Sequence, residues 1–141
     1  MRQLSLFESC IPLAGLVPAM RAAMNAAAEK YAEGRKLLVD HINGAAHAAN
    51  VRLTAGNQKS ISKETLDKWL SPADRDHTPS IMAVAVFCFV TGNIEPVRIL
   101  ARILGLEVIT KEEKDLLEYG RACREAEQAI EKRRKSKERL K

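Results

Sequence analysis

A chain of 141 residues is of one-domain size, and its 46% apolar and 29% charged residues are typical of a globular protein. Aromatics at 4% are too few for a β-sandwich or for an RNA module that stacks bases on a sheet, while abundant alanine with sparse Gly and Pro favours helix. Net charge is +5, but the last ten residues hold seven bases against one acid, +6, so residues 1–131 sum to −1 and basicity is no proof of a DNA-binding face on the domain.

Residues 1–17 mix apolar side chains with Pro12 and Gly15 and lack a helical period, which predicts an extended arm. Pro18 suits the first turn of a helix that Ala19 to Glu33 continues until Gly34 interrupts. From Arg35 to Asn50, Leu37, Leu38, Ile42, Ala45, Ala46 and Ala49 are spaced for one apolar face. Val51 to Lys59 carries the turn signal Gly56-Asn57. Ser62 is placed as the N-cap of a helix over Lys63 to Leu70, which Ser71-Pro72 ends. After the polar loop Ala73 to Thr78, Thr78-Pro79 predicts the cap and first-turn proline of an apolar helix that stops at Gly92. That helix is apolar on nearly every side, as the centre of a core would be. Asn93 to Leu104 makes another, with Pro96 near its start and Gly105 beyond its end. Thr110-Lys111-Glu112-Glu113 is a capping box opening a long final helix, in which Leu116, Leu117, Cys123, Ala126 and Ile130 are expected to face inward.

The segment Ser60 to Leu70, SISKETLDKWL, has two faces. Leu66, Trp69 and Leu70 stand at i, i+3 and i+4 and, with Ile61, form an apolar anchor. The opposite face carries Ser62, Lys63, Thr65 and Lys68, small polar and basic side chains able to reach base edges and phosphates, with Glu64 and Asp67 between them. Arg52 and Lys59 stand in the preceding segment, where phosphate contact is natural. An ordinary amphipathic helix with a buried Trp has the same outline. Ile61, Ser62, Lys63, Thr65, Leu66 and Trp69 follow the order apolar–Ser–basic–x–Thr–apolar–x–x–Trp, which resembles the recognition segments of the lambda-repressor-like helix-turn-helix superfamily. The resemblance implies that Ser62, Lys63, Thr65 and Lys68 face double-stranded DNA. It further implies a regulator of phage or prophage type, often a homodimer reading two half-sites. About ten residues, Val51 to Ser60, precede the segment, where the family has a turn of a few.

The expected fold is therefore all-α, a compact bundle of about five to six helices containing a helix-turn-helix. An extended arm occupies 1–17, the helical domain 18–109, and a long C-terminal helix with a basic tail 110–141.

A second signal is Gln3-Leu4-Ser5-Leu6-Phe7, which resembles the pentapeptide Q-L-[SD]-L-F used by bacterial replication and repair proteins to bind the sliding clamp. Leu6 and Phe7 would fill an apolar pocket while Gln3 hydrogen-bonds at its rim, with Leu4 a further partner-binding candidate and few residues to order. The same apolar residues also suit covering the domain's own core. The tail over Lys132 to Lys141 fits either phosphate contact or a solvated helix end.

Other chemistry has little support. His41, His47 and His77 show no metal spacing, and no Gly-rich phosphate loop or G-x-S-x-G is present, so neither an enzyme nor a cofactor is expected. Cys10, Cys88 and Cys123 are far apart and odd in number, which argues against a disulfide framework and for a reducing cytoplasm. Ile81 to Val90 is about half the length of a membrane span, so no membrane association is expected.

Overall fold

The computed structural model describes residues 13–56 and 58–140, and its described residues are helical without strands. The helices are α1 (Leu16–Glu29), α2 (Gly34–Ala48), α3 (Lys63–Leu70), α4 (Ile81–Thr91), α5 (Glu95–Ile103) and α6 (Lys111–Arg139). The chain divides after Glu107 into two units, the first holding α1–α5 and the second α6.

In the first unit α1 lies against α2, α3, α4 and α5, and α2 lies against α3 and α4. Met24, Leu38, Ile42, Leu66, Leu70 and Phe87 are its largest fully buried apolar side chains apart from a proline, and Trp69 and Ile61 close the core on the α3 side. Burying each such side chain contributes about 1.5–3 kcal/mol, so the α3 anchors are a large share of what fixes that helix. The expected apolar face of α2 is observed at Leu38, Ile42 and Ala46, whereas Leu37 and Ala49 are exposed. Asn50 then takes a left-handed conformation at φ 54°, and the Val51 amide donates to the Ala46 carbonyl at 3.0 Å, which closes the helix end.

Several element ends follow the expected chemistry. The Ser62 hydroxyl accepts from the Thr65 amide at 3.2 Å, and Ser71 turns extended ahead of Pro72. Gly92 ends α4 at φ 69°, a conformation that side chains with a Cβ adopt at a cost, and its amide donates to the Cys88 carbonyl at 2.9 Å. In the capping box the Glu113 amide donates to Thr110 Oγ1 at 3.2 Å, and the Thr110 amide to Glu113 Oε2 at 2.9 Å.

Three expectations are corrected. The helix expected from Pro18 begins at Leu16, and Leu13 and Ala14 are also helical, so 13–17 is not extended. Proline is tolerated throughout a first helical turn, whose amides lack intrahelical partners. Second, α4 starts after Ser80, not Thr78. The Ser80 hydroxyl accepts from the Ala83 amide and donates to the Leu53 carbonyl, both at 3.0 Å, so the better-placed cap wins. That helix buries only one face, through Ala83, Val86, Phe87 and Cys88, and leaves Ile81 and Phe89 exposed. Third, α6 buries none of its residues, including Leu116, Leu117, Cys123, Ala126 and Ile130. Within that helix Arg134 pairs with Glu131 at 2.7 Å and Glu138 at 3.6 Å, and Lys114 with Glu118 at 3.9 Å. No helix among the described residues is long and apolar enough to cross a membrane.

Candidate functional site

An eight-residue helix is too short to hold its own conformation in water, so α3 depends on what grips it. At its N-terminal side the Asn43 side chain on α2 makes two bonds to one residue. Its Nδ2 donates to the Ile61 carbonyl and its Oδ1 accepts the Ile61 amide, each at 2.9 Å. A side-chain amide here does what a neighbouring strand would do. One turn further along α2, His47 Nε2 lies 3.1 Å from Ser60 Oγ. The segment leading into α3 is thereby tied to α2 at Ser60 and Ile61, immediately before the Ser62 cap.

At its C-terminal end α3 meets Arg21, a residue of α1 that is only 2% exposed. Its Nε donates to the Trp69 carbonyl at 2.8 Å, and its two terminal nitrogens donate to the carbonyls of Lys68, Asp74 and His77. Two of these carbonyls end α3 and two belong to the following loop. A cation at a helix C-terminus faces the negative end of the helix dipole, and the planar guanidinium can serve several acceptors at once. Buried charge is therefore balanced here by backbone oxygens, and no carboxylate of the described residues is among its partners.

The loop beyond is itself tied. Asp74 Oδ1 accepts the Asp76 and His77 amides at 3.0 and 3.1 Å, and the His77 ring approaches the same carboxylate at 3.0 Å. The His77 hydrogen bond is the main reason that the Asp74 carboxyl titrates below the ordinary carboxylate range, ahead of the opposing effect of burial. This arrangement turns the His77 carbonyl to Arg21. On the side of α3, Arg35 of α2 bridges Asp67 at 2.9 Å and the Asn25 side chain of α1 at 2.6 Å. Asp67 is thus paired with Arg35 although its side chain stays 43% exposed, and Glu64, the other acid interleaved with the basic residues, is exposed.

The face turned to solvent carries Ser62, Lys63, Glu64 and Lys68, all exposed. Thr65 is half-buried, and its hydroxyl lies 3.1 Å from that of Ser62. Arg52 and Lys59 line one open cleft of about 470 Å³ together with His47, Asn50 and Gln58. Arg52, Lys59, Lys63 and Lys68 make no ion pair with any described residue. Their charges are free to meet an anion.

Lys63 and Lys68 thus share the exposed face of α3, and two pairs of the other residues singled out from sequence are brought together. Ser62 and Thr65 are joined at the start of α3, and Arg52 and Lys59 are joined in the cleft before it. Gln3, Leu4, Leu6 and Phe7 lie outside the described residues. Sequence reasoning missed Arg21, Asn43 and Arg35, the residues that orient α3. An arginine inside an alanine-rich, otherwise apolar stretch was the one available sign of Arg21. Asn43 and Arg35 act on partners eighteen and thirty-two positions away, and no local pattern reports them.

Elsewhere the titratable groups are dispersed. Tyr31 Oη bonds His41 Nδ1 on the surface, with Glu33 at 3.4 Å from the other ring nitrogen. Among the described residues no three His, Cys, Asp or Glu side chains gather as a metal site would require. Cys88 is buried, which pushes its thiol up, away from the reactive thiolate. No family model matches the chain, and no curated protein or solved structure matches it either.

Proposed function

We propose that the first unit is a sequence-specific DNA-binding regulator of transcription, of phage or mobile-element type, which sets α3 in the major groove. The observation that carries this reading is the division of α3 into a gripped side and an open side. Ile61, Leu66, Trp69 and Leu70 are buried, both ends are held through their backbone by the Asn43 and Arg21 side chains, and Ser62, Lys63 and Lys68 are exposed. Eight residues make a helix about 12 Å long, which suits a groove about 12 Å wide. Lys63 reads base edges or phosphates from the first turn, where recognition helices make base contacts. Arg52, Lys59 and Lys68 supply phosphate contacts that set register. The similarity of Ile61 to Trp69 to lambda-repressor-like recognition segments supports the same assignment.

Three phosphate-contacting bases predict a slope of log affinity on log salt near −2.7, so affinity falls roughly fortyfold between 50 and 200 mM salt. Lys63→Ala combined with Thr65→Ala should abolish preference among DNA sequences in a gel-retardation assay. Arg52→Ala with Lys59→Ala should weaken all duplexes alike and flatten the slope by about two units. Unchanged sequence preference in the first variant, with the fold intact, refutes α3 as the reading element.

A second reading rests on one observation, the full pentapeptide match at Gln3 to Phe7. In it the chain docks on a bacterial sliding clamp and acts in replication, with DNA binding and clamp binding reinforcing each other by tethering. Leu6→Ala with Phe7→Ala should then eliminate co-elution with the clamp. Absence of co-elution by the unaltered chain removes this reading.

A further inference from the structure

α6 has 29 residues, every one of them exposed. Leu116, Tyr119, Cys123, Ala126 and Ile130 recur along it at alternating steps of three and four, the spacing of a coiled-coil seam. Leu116, Tyr119 and Ile130 are 69%, 71% and 66% exposed, a cost that a protein helix normally relieves by pairing.

Charge along the helix is strongly asymmetric. From Lys111 to Glu131 there are seven acids against four bases, −3, and from Lys132 to Arg139 six bases against one acid, +5. We propose that this face binds the same face of a second copy of the chain, with the two helices antiparallel. The seam spacing itself selects the direction. It continues backward to Glu112 and forward to Arg133 and Lys137. A parallel pair in register sets each of these three against its own copy, giving like-charge layers at both ends of the seam, Glu112 at one and Arg133 with Lys137 at the other.

The antiparallel pair avoids all three. In the register that matches apolar layers, Tyr119 faces Ile130 of the second copy and Cys123 faces Ala126. Glu112 faces Lys137, and Leu116 lies beneath the aliphatic stem of Arg133. On the flank of the seam Glu113 comes beside Arg134, again with opposite sign. The small side chains of Cys123 and Ala126 sit at the middle and let the helix axes approach. Residues 132–139 of each copy thus lie against 110–117 of the other, where Glu112, Glu113 and Asp115 outnumber Lys111 and Lys114, giving this dimer a sensitivity to salt that an apolar seam alone lacks.

The inference does not depend on the DNA reading, and its test contains no DNA. Sedimentation equilibrium of the full chain should give a dimer that weakens as salt rises. Leu116→Asp or Ile130→Asp should give a monomer whose thermal unfolding of the helical core is unchanged, since neither residue is buried. Direction is read by cross-linking in a background with Cys10→Ser and Cys123→Ser. A tagged chain carrying Glu112→Cys is mixed with an untagged chain carrying Lys137→Cys and oxidised. The expected product is the disulfide between unlike chains. Cross-links between like chains alone overturn the antiparallel pair, as does a monomeric native chain or a dimer that survives Ile130→Asp.

Discussion

Arg21→Met removes a buried guanidinium while keeping most of its aliphatic volume, so the loss reports hydrogen bonding more than packing. Four backbone carbonyls lose a donor: Trp69 at 2.8 Å, His77 at 3.3 Å, and those of Lys68 and Asp74. The Trp69 bond is buried and the other three are part-buried. A hydrogen bond to a charged group is worth about 1.5–3 kcal/mol, and a carbonyl left dry costs about 1–3 kcal/mol. Water can take over the part-buried carbonyls, and the variant no longer desolvates a charge, so the full sum is not expected. A net loss of about 3–5 kcal/mol follows, in the range for breaking a buried charge arrangement. At about 4 °C per kcal/mol that is a fall of roughly 12–20 °C in Tm, read by circular dichroism at 222 nm. Arg21→Lys keeps the charge but offers one nitrogen in place of a planar fork, and should recover less than half of the loss. A fall in stability below about 1 kcal/mol for Arg21→Met would show that the carbonyls are satisfied without the guanidinium.

Three further outcomes check other parts of the account. Asn43→Ala leaves both polar backbone groups of Ile61 without their partner and should cost about 2 kcal/mol in urea unfolding, with DNA affinity falling further than stability alone requires. Asp74 titrates below its ordinary value in the folded chain, so its contribution is fully present above that value and is lost as pH falls through the lowered one. The side-chain carboxyl carbon resonance of Asp74 should accordingly move only in acid, below the range of an ordinary aspartate. Asp74→Asn should abolish that movement, and movement already complete near neutrality would assign it to another group. Thr110→Ala removes one half of the capping box and should reduce the helicity of α6 at its first turn, at a cost of about 1 kcal/mol, measured by amide exchange of Lys111 to Lys114.

The elements legible in the sequence were those written in local chemistry. Ser62, Gly92, Thr110 and the Ser71-Pro72 break each act within four residues of their own position, and each was placed correctly. Periodicity gave the apolar face of α2 and the anchors of α3. It failed on α4, because a run of apolar residues has no period from which to read its buried side, and Ile81 and Phe89 stay exposed. It failed on α6 for another reason: spacing marks an apolar face, not what covers it. The outward face of α3 was legible, while the residues that aim it were not. Arg21, Asn43 and Arg35 reach across the bundle to carbonyls, an amide and a carboxylate far along the chain. Only the assembled tertiary structure brings those groups within bonding distance.

The central claim is that the open face of α3 reads DNA sequence. It is tested most directly by selection from a random duplex library, run in parallel on the unaltered chain and on the Lys63→Ala, Thr65→Ala variant. The unaltered chain should enrich a defined motif, while the variant, equally stable to heat, should enrich none. Enrichment of the same motif by both proteins, or of no motif by the unaltered chain, would contradict it.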